Sequence, residues 1–179
     1  MPKWLHWPEI FNTDLIDNLP PITTTSLGHW INFNQWLRIG FTTGNNSNGY
    51  IINSVILRLA ELTANPNLVV RLYNDSNGSL GSQIAQFVNP VFIPNTTSNY
   101  TFTLTNPQTL AANTTYWLFV GILSGSGQYI WAFTTSGHQS GSLGWSISDD
   151  SLYTSNQGGS WPFFPGTVFF QFKVTGATL

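Results

Sequence analysis

Catalysis needs groups that ionise, attack or ligate, and this chain holds few of them: Glu9, Asp14, Asp17, Glu61, Asp75, Asp149 and Asp150, against Lys3, Arg38, Arg58, Arg71 and Lys173, with His6, His29 and His138. A glycosidase needs two carboxyl groups flanking the bond it breaks, and Asp149-Asp150 is the adjacent pair to test. In a strand such neighbours face opposite sides, and in a turn, which Ser146 to Ser151 suggests, both are solvated. His138 could be drawn into a Ser-His-Asp arrangement, but no Gly-x-Ser-x-Gly elbow accompanies it. Gly137-His138-Gln139-Ser140-Gly141 reads instead as a loop. Asn74-Asp75-Ser76-Asn77-Gly78-Ser79 alternates oxygen ligands ahead of a glycine, as a calcium loop does, yet no acidic residue closes it. A hairpin turn, with Asn77-Gly78 supplying positive φ, explains the same residues. The expectation is a protein that is not an enzyme, with no catalytic residue, no metal site and no cofactor.

Aromatic rings are the second chemical resource, with 8 Trp, 6 Tyr and 13 Phe. Trp117 and Trp131 lie in apolar runs and are expected in the core. Trp145, Tyr153 and Trp161 stand among Gly, Ser, Asn and Asp between residues 136 and 166. Flat rings there could stack on sugar faces while Asp149, Asp150 and Asn156 accept hydroxyl hydrogens. The same rings could cover the open end of a sandwich or serve as interface hot spots, and packing or interface is the preferred reading. A third group, Trp4, Leu5, Trp7, Ile10 and Phe11, sits in a Pro- and Trp-rich stretch that runs to about residue 28. This stretch reads as an extended arm lying on its own sandwich or on a neighbouring subunit, and equally as a first strand plus a loop.

The elements that must position these groups are strands. In Tyr100-Thr101-Phe102-Thr103-Leu104-Thr105 the large apolar residues fall on one face and the threonines on the other. Val168, Phe170, Phe172 and Val174 alternate in the same way with Phe169, Gln171, Lys173 and Thr175. Further short runs at 37–41, 51–62, 68–73, 83–87, 116–122, 129–133 and 145–147 are separated by Gly, Asn, Ser and Pro turns. Leu57, Leu59, Leu68, Val70 and Leu72 suit inward positions, and Arg58 and Arg71 outward ones. The run 116–120 is apolar on both faces and suits a central strand. Asp14-Leu15-Ile16-Asp17-Asn18-Leu19 could form a short helix capped near Asn12 or Thr13. The predicted fold is all-β, an antiparallel β-sandwich of jelly-roll type with an extended N-terminal arm. Residues 1–30 form the arm or first strand, and residues 31–179 the sandwich.

Charged residues make up only 7% of the chain, against roughly a quarter in ordinary soluble proteins. Disorder is excluded, because 41% of the residues are hydrophobic and 15% aromatic. Five dispersed cations and a net charge of -2 give no footprint for nucleic acid. No stretch approaches the ~20 apolar residues of a membrane-spanning helix, so no membrane partner is expected. The surface must be built from Asn, Ser, Thr, Gln and Gly, and near-neutral surfaces repel their neighbours weakly. There is no cysteine, so neither disulfides nor thiolate metal sites contribute.

Four blocks together resemble the choice-of-anchor R domain family of bacterial surface proteins. They are Gln35-Trp36-Leu37-Arg38-Ile39-Gly40-Phe41-Thr42-Thr43-Gly44, Tyr50-Ile51-Ile52-Asn53-Ser54-Val55, residues 70–82 around Tyr73-Asn74-Asp75, and Leu110-Ala111-Ala112-Asn113-Thr114-Thr115-Tyr116-Trp117-Leu118. Tyr129-Ile130-Trp131-Ala132-Phe133 extends the match, which covers roughly residues 31 to 135. The resemblance implies a jelly-roll-like sandwich without catalysis, carried on bacterial surfaces and open to borrowing by bacterial viruses. The N-terminus lacks a secretory signal and no sorting tail follows Leu179, which points to a stand-alone copy on a virus particle. The expected function is therefore a non-enzymatic subunit that decorates or cements a larger assembly, with other protein subunits as partners and the virion surface as its location. The alternative is a carbohydrate-binding or adhesive module of a bacterial surface protein, extracellular or at the cell surface, with glycans as partners.

Overall fold

The computed structural model describes residues 12–20, 27–65, 67–164 and 167–179, and the side chains of Asp149 and Asp150 lie outside that description. Alternating sequence becomes alternating exposure along two antiparallel sheets. In chain order the strands are β1 (Thr13–Asp17), β2 (Leu27–Ile31), β3 (Trp36–Thr42), β4 (Tyr50–Thr63), β5 (Leu68–Ser76), β6 (Ser79–Gln86) and β7 (Thr97–Leu110). They continue with β8 (Thr115–Ile122), β9 (Gln128–Thr134), β10 (Ser140–Gly141), β11 (Ser146–Thr154), β12 (Phe169–Phe170) and β13 (Phe172–Thr178). The larger sheet has eight strands in the order β10-β1-β13-β4-β9-β12, with β2 added on β9 and β7 on β4. The smaller has five, in the order β11-β3-β8-β5-β6.

The two sheets pack as a sandwich whose core is the sum of their inner faces. Ile52, Val55, Leu57 and Leu59 of β4, Phe102 of β7, Trp131 of β9 and Phe172 and Val174 of β13 meet Leu37, Ile39 and Phe41 of β3, Val70 and Leu72 of β5 and Leu118 and Val120 of β8. All are fully buried, and burying a large apolar side chain contributes roughly 1.5–3 kcal/mol. β8 occupies the middle of its sheet, which accounts for a strand that is apolar on both faces. The β5–β6 hairpin turns at Asn77 and Gly78, with φ of 52° and 78°, as its Asn-Gly sequence requires.

Three features correct or refine the sequence reading. Residues 13–17 are a strand and not a helix. A single short helical turn would bury one side of Leu15-Ile16, whereas a bulge in the pairing of β1 with β13, between Asp14 and Ile16, buries both side chains completely. Within the stretch 1–30, β1 and β2 are strands of the larger sheet, while Trp4, Leu5, Trp7, Ile10 and Phe11 lie outside the described residues. The C-terminal run keeps its alternation, with Val168, Phe170, Phe172 and Val174 all in the core, but the one expected strand is divided into β12 and β13 at Gln171, where the chain transfers from β9 to β4. The Gln171 amide donates to Ala132 O at 2.8 Å, and its carbonyl accepts from Arg58 N at 3.3 Å and from Trp131 Nε1 at 2.9 Å.

Candidate functional site

A sheet face turned to water ordinarily carries mostly polar side chains, and the outer face of the five-stranded sheet instead sets aromatic rings among its arginines. With Tyr116, Leu118 and Val120 committed to the core, β8 turns Trp117 and Phe119 outward. The register sets Phe119 between Arg38 of β3 and Arg71 of β5, and Trp117 between Gly40 and Tyr73. Gly121 follows on the same face because no Cβ fits there: it would lie 2.8 Å from the rings of both Trp36 and Phe119.

Phe119 forms the floor of an aromatic cluster. The rings of Trp36, Tyr73 and Trp161 meet it at centroid distances of 5.6, 5.8 and 6.1 Å and interplanar angles of 78, 70 and 71°. These are edge-to-face contacts, which set the positive edge of one ring on the negative face of another. Beside them the Arg38 guanidinium lies between two indoles, 4.3 Å from the Trp117 ring and 4.9 Å from that of Trp161. Arg38 is 2% exposed, and its Nη2 donates to Gly78 O at 3.1 Å. Such a cation–π stack gains from desolvation, and it fastens residues 155–164 onto the sheet.

Asn156 shapes that segment from within. Its Oδ1 accepts from Thr154 Oγ1 at 2.6 Å and from Ser160 N at 3.0 Å. The result is an open recess of about 400 Å³, walled by Trp36, Tyr73, Phe119 and Trp161 and edged by Arg71 and Gln157. Arg71 and Leu123 also line a neighbouring recess of about 540 Å³, with Asn67, Gln86, Asn89 and Thr105 around it.

The residues of the alternative sugar-binding set separate in space. Trp145 is 5% exposed, stacked on Phe41 at 5.7 Å and edge-on to Tyr50 at 5.0 Å, so it belongs to the core and offers no face to a sugar. Tyr153 packs inward against Phe164 at 4.8 Å. Asp149 and Asp150 lie in strand β11 and not in a turn. The register passes from Ile147 opposite Phe41 to Ser151 opposite Ile39, so Ser148, Asp149 and Asp150 share the length of strand facing Gly40 alone. Of the three rings, Trp161 alone joins the outer face. Its companions Trp36, Tyr73 and Phe119 were missed, although the alternation of Arg71 with Tyr73 and of Trp117 with Phe119 carries them. Trp117 is buried as expected, but under Arg38 rather than between the sheets, with Nε1 donating to Asp75 Oδ1 at 2.8 Å.

Charge elsewhere is contained. Lys173 Nζ bridges Asp14 at 2.8 Å and Asp17 at 2.9 Å. Burial alone would lower the pKa of that amine, but the hydrogen bonds and charges of the two carboxylates raise it above its ordinary value. Arg38, Arg58 and Glu61 are buried. Asp75 also takes the Gly78 amide at 3.0 Å. His138 is exposed in its loop. Neither a family model nor a curated protein matches this chain.

Proposed function

We propose that this domain is a non-enzymatic structural subunit that decorates or cements a larger assembly, most concretely the capsid of a virus that infects bacteria. Its partners are further copies of itself or a capsid-type protein, and its location is the virion surface. The observation that carries this reading is the containment of charge. Among the described side chains, Arg71 is the cation left without either burial or a carboxylate, so most of the surface can be covered by a neighbour without desolvating ions. Exposed apolar side chains add contact area, with Val91 93% and Leu143 88% accessible, and Leu27, Ile93 and Phe163 more than half so. The arm residues Trp4, Leu5, Trp7, Ile10 and Phe11 are the proposed interface anchors. The resemblance of residues 31 to 135 to a bacterial surface-domain family agrees with a role on a particle exterior and with a jelly-roll connection of the strands. Size-exclusion chromatography with light scattering should give a defined oligomer, or co-elution with assembled capsids. A chain that stays monomeric and ignores capsids at every concentration contradicts the proposal.

A second reading, a glycan-binding or adhesive module at the cell surface or outside the cell, is favoured by one observation. Trp161, for which the sequence offers sugar contact as the alternative to packing, lines an open recess with three further aromatic rings.

A further inference from the structure

The recess beneath Trp161 has features that narrow its ligand. Its volume of about 400 Å³ falls in the range of small-molecule sites. Trp36, Tyr73 and Trp161 are half-buried around the floor made by Phe119, so the walls are rigid rings rather than mobile chains. A hexopyranose suits such walls, because the C–H groups on its flat side are polarised toward the negative face of an indole or phenol.

Arg71 supplies the second feature. Its Nε donates to Gln86 Oε1 at 2.9 Å and its Nη1 lies 3.5 Å from Tyr73 OH, both neutral partners. Among the described residues it meets no carboxylate, unlike Lys173, which holds two. A guanidinium with donors to spare on the edge of an aromatic recess is matched to a planar anion, which it takes bidentately.

The third feature is the adjoining recess, which shares Arg71 and Leu123 with the first and carries the side-chain amides of Asn67, Gln86 and Asn89. Asn89 Nδ2 donates to Leu68 O at 2.7 Å, while its Oδ1 is buried with no donor among the described residues. Amides that both donate and accept are the natural partners of vicinal hydroxyls.

We infer that these two recesses form one site for an acidic oligosaccharide. One hexose stacks in the ring-lined recess, its carboxylate or sulfate lies on Arg71, and the next residue places hydroxyls among the amides of Asn67, Gln86 and Asn89. The inference rests on the glycan-binding reading and names its ligand class.

The test is a glycan array carrying carboxylated, sulfated and neutral oligosaccharides, probed with the full chain and with the variants Arg71→Gln and Trp161→Ala. Calorimetric titration of the bound glycans follows, with near-ultraviolet circular dichroism to establish that each variant is folded. Binding confined to acidic glycans, weakened about tenfold by Arg71→Gln and by Trp161→Ala, is the expected result. The carboxylated and sulfated arms identify which anion Arg71 takes. Equal binding of neutral glycans, or acidic binding that survives Arg71→Gln, overturns the inference while leaving a glycan-binding module standing. No binding to any glycan overturns both, and leaves the ring-lined face to a protein partner.

Discussion

His29 lies half-buried against Phe164, with 4.2 Å between ring centroids, and its Nδ1 accepts a hydrogen bond from Gln35 Nε2 at 3.0 Å. Burial disfavours the charged imidazolium and lowers its pKa from the ordinary 6.5. Between the folded and unfolded values the unfolded chain therefore binds a proton that the folded chain does not, and protonation favours unfolding. The sign follows: the His29 contribution to stability is complete above about pH 6.5, declines as pH falls below it, and levels off once pH is under the folded value. Urea denaturation at several pH values should show the midpoint falling on acidification, and His29→Phe should reduce that fall. An unchanged pH profile in the variant would assign the acid sensitivity to the carboxylates instead. Arg38 gives the opposite lesson. It remains charged at any ordinary pH, and within its burial it lies over the Trp117 and Trp161 rings and donates to Gly78 O.

β1 decides how much of the N-terminal region the sandwich needs. Leu15 and Ile16 are fully buried, and the strand pairs with β10 on one side and β13 on the other. Removing residues 1–11 should leave thermal unfolding cooperative, with a midpoint close to that of the whole chain, while abolishing assembly if the arm is its anchor. Removing residues 1–28 takes β1 as well, and each lost Leu or Ile costs about 2–5 kcal/mol, enough with the broken pairing to prevent folding. Circular dichroism on the two truncations separates these outcomes, and a cooperatively folded 29–179 chain would contradict the argument. The same strand marks the limit of what the sequence discloses. Where one face is wet and one dry, as at 100–105 or 172–175, period-two alternation is readable directly. Leu15-Ile16 defeats it, since only a bulge can put adjacent residues on one side. Periodicity likewise places Arg71, Tyr73, Trp117 and Phe119 on an outer face. It does not disclose that residues 155–164 fold back to cover that face, which Trp161 and Gly158 achieve through contacts distant in sequence. Trp145 packs in the core, as the preferred reading had it, but its polar neighbours in the chain are no guide to its partners Phe41 and Tyr50 in space.

For the molecule as a whole, contained charge predicts how association responds to salt. An interface made of uncharged polar and apolar groups has little Coulombic energy to screen. Self-association or capsid binding should change less than about threefold between about 50 mM and about 500 mM sodium chloride, as measured by sedimentation equilibrium. A loss of tenfold or more would reveal ion pairs across the interface and count against a neutral contact surface. Glycan binding through Arg71 should weaken over the same range, so the two surfaces can be told apart in one titration. The neighbourhood of β1 and β13 also bears on how the protein comes into being. Because β13 lies between β1 and β4, the first described strand has no permanent neighbour on that side until residues 172–178 have left the ribosome. The larger sheet therefore closes only once its last described strand has emerged. A nascent chain in that interval exposes the flank of β4 that β13 will occupy, which makes this step the one most open to mispairing and most dependent on chaperones.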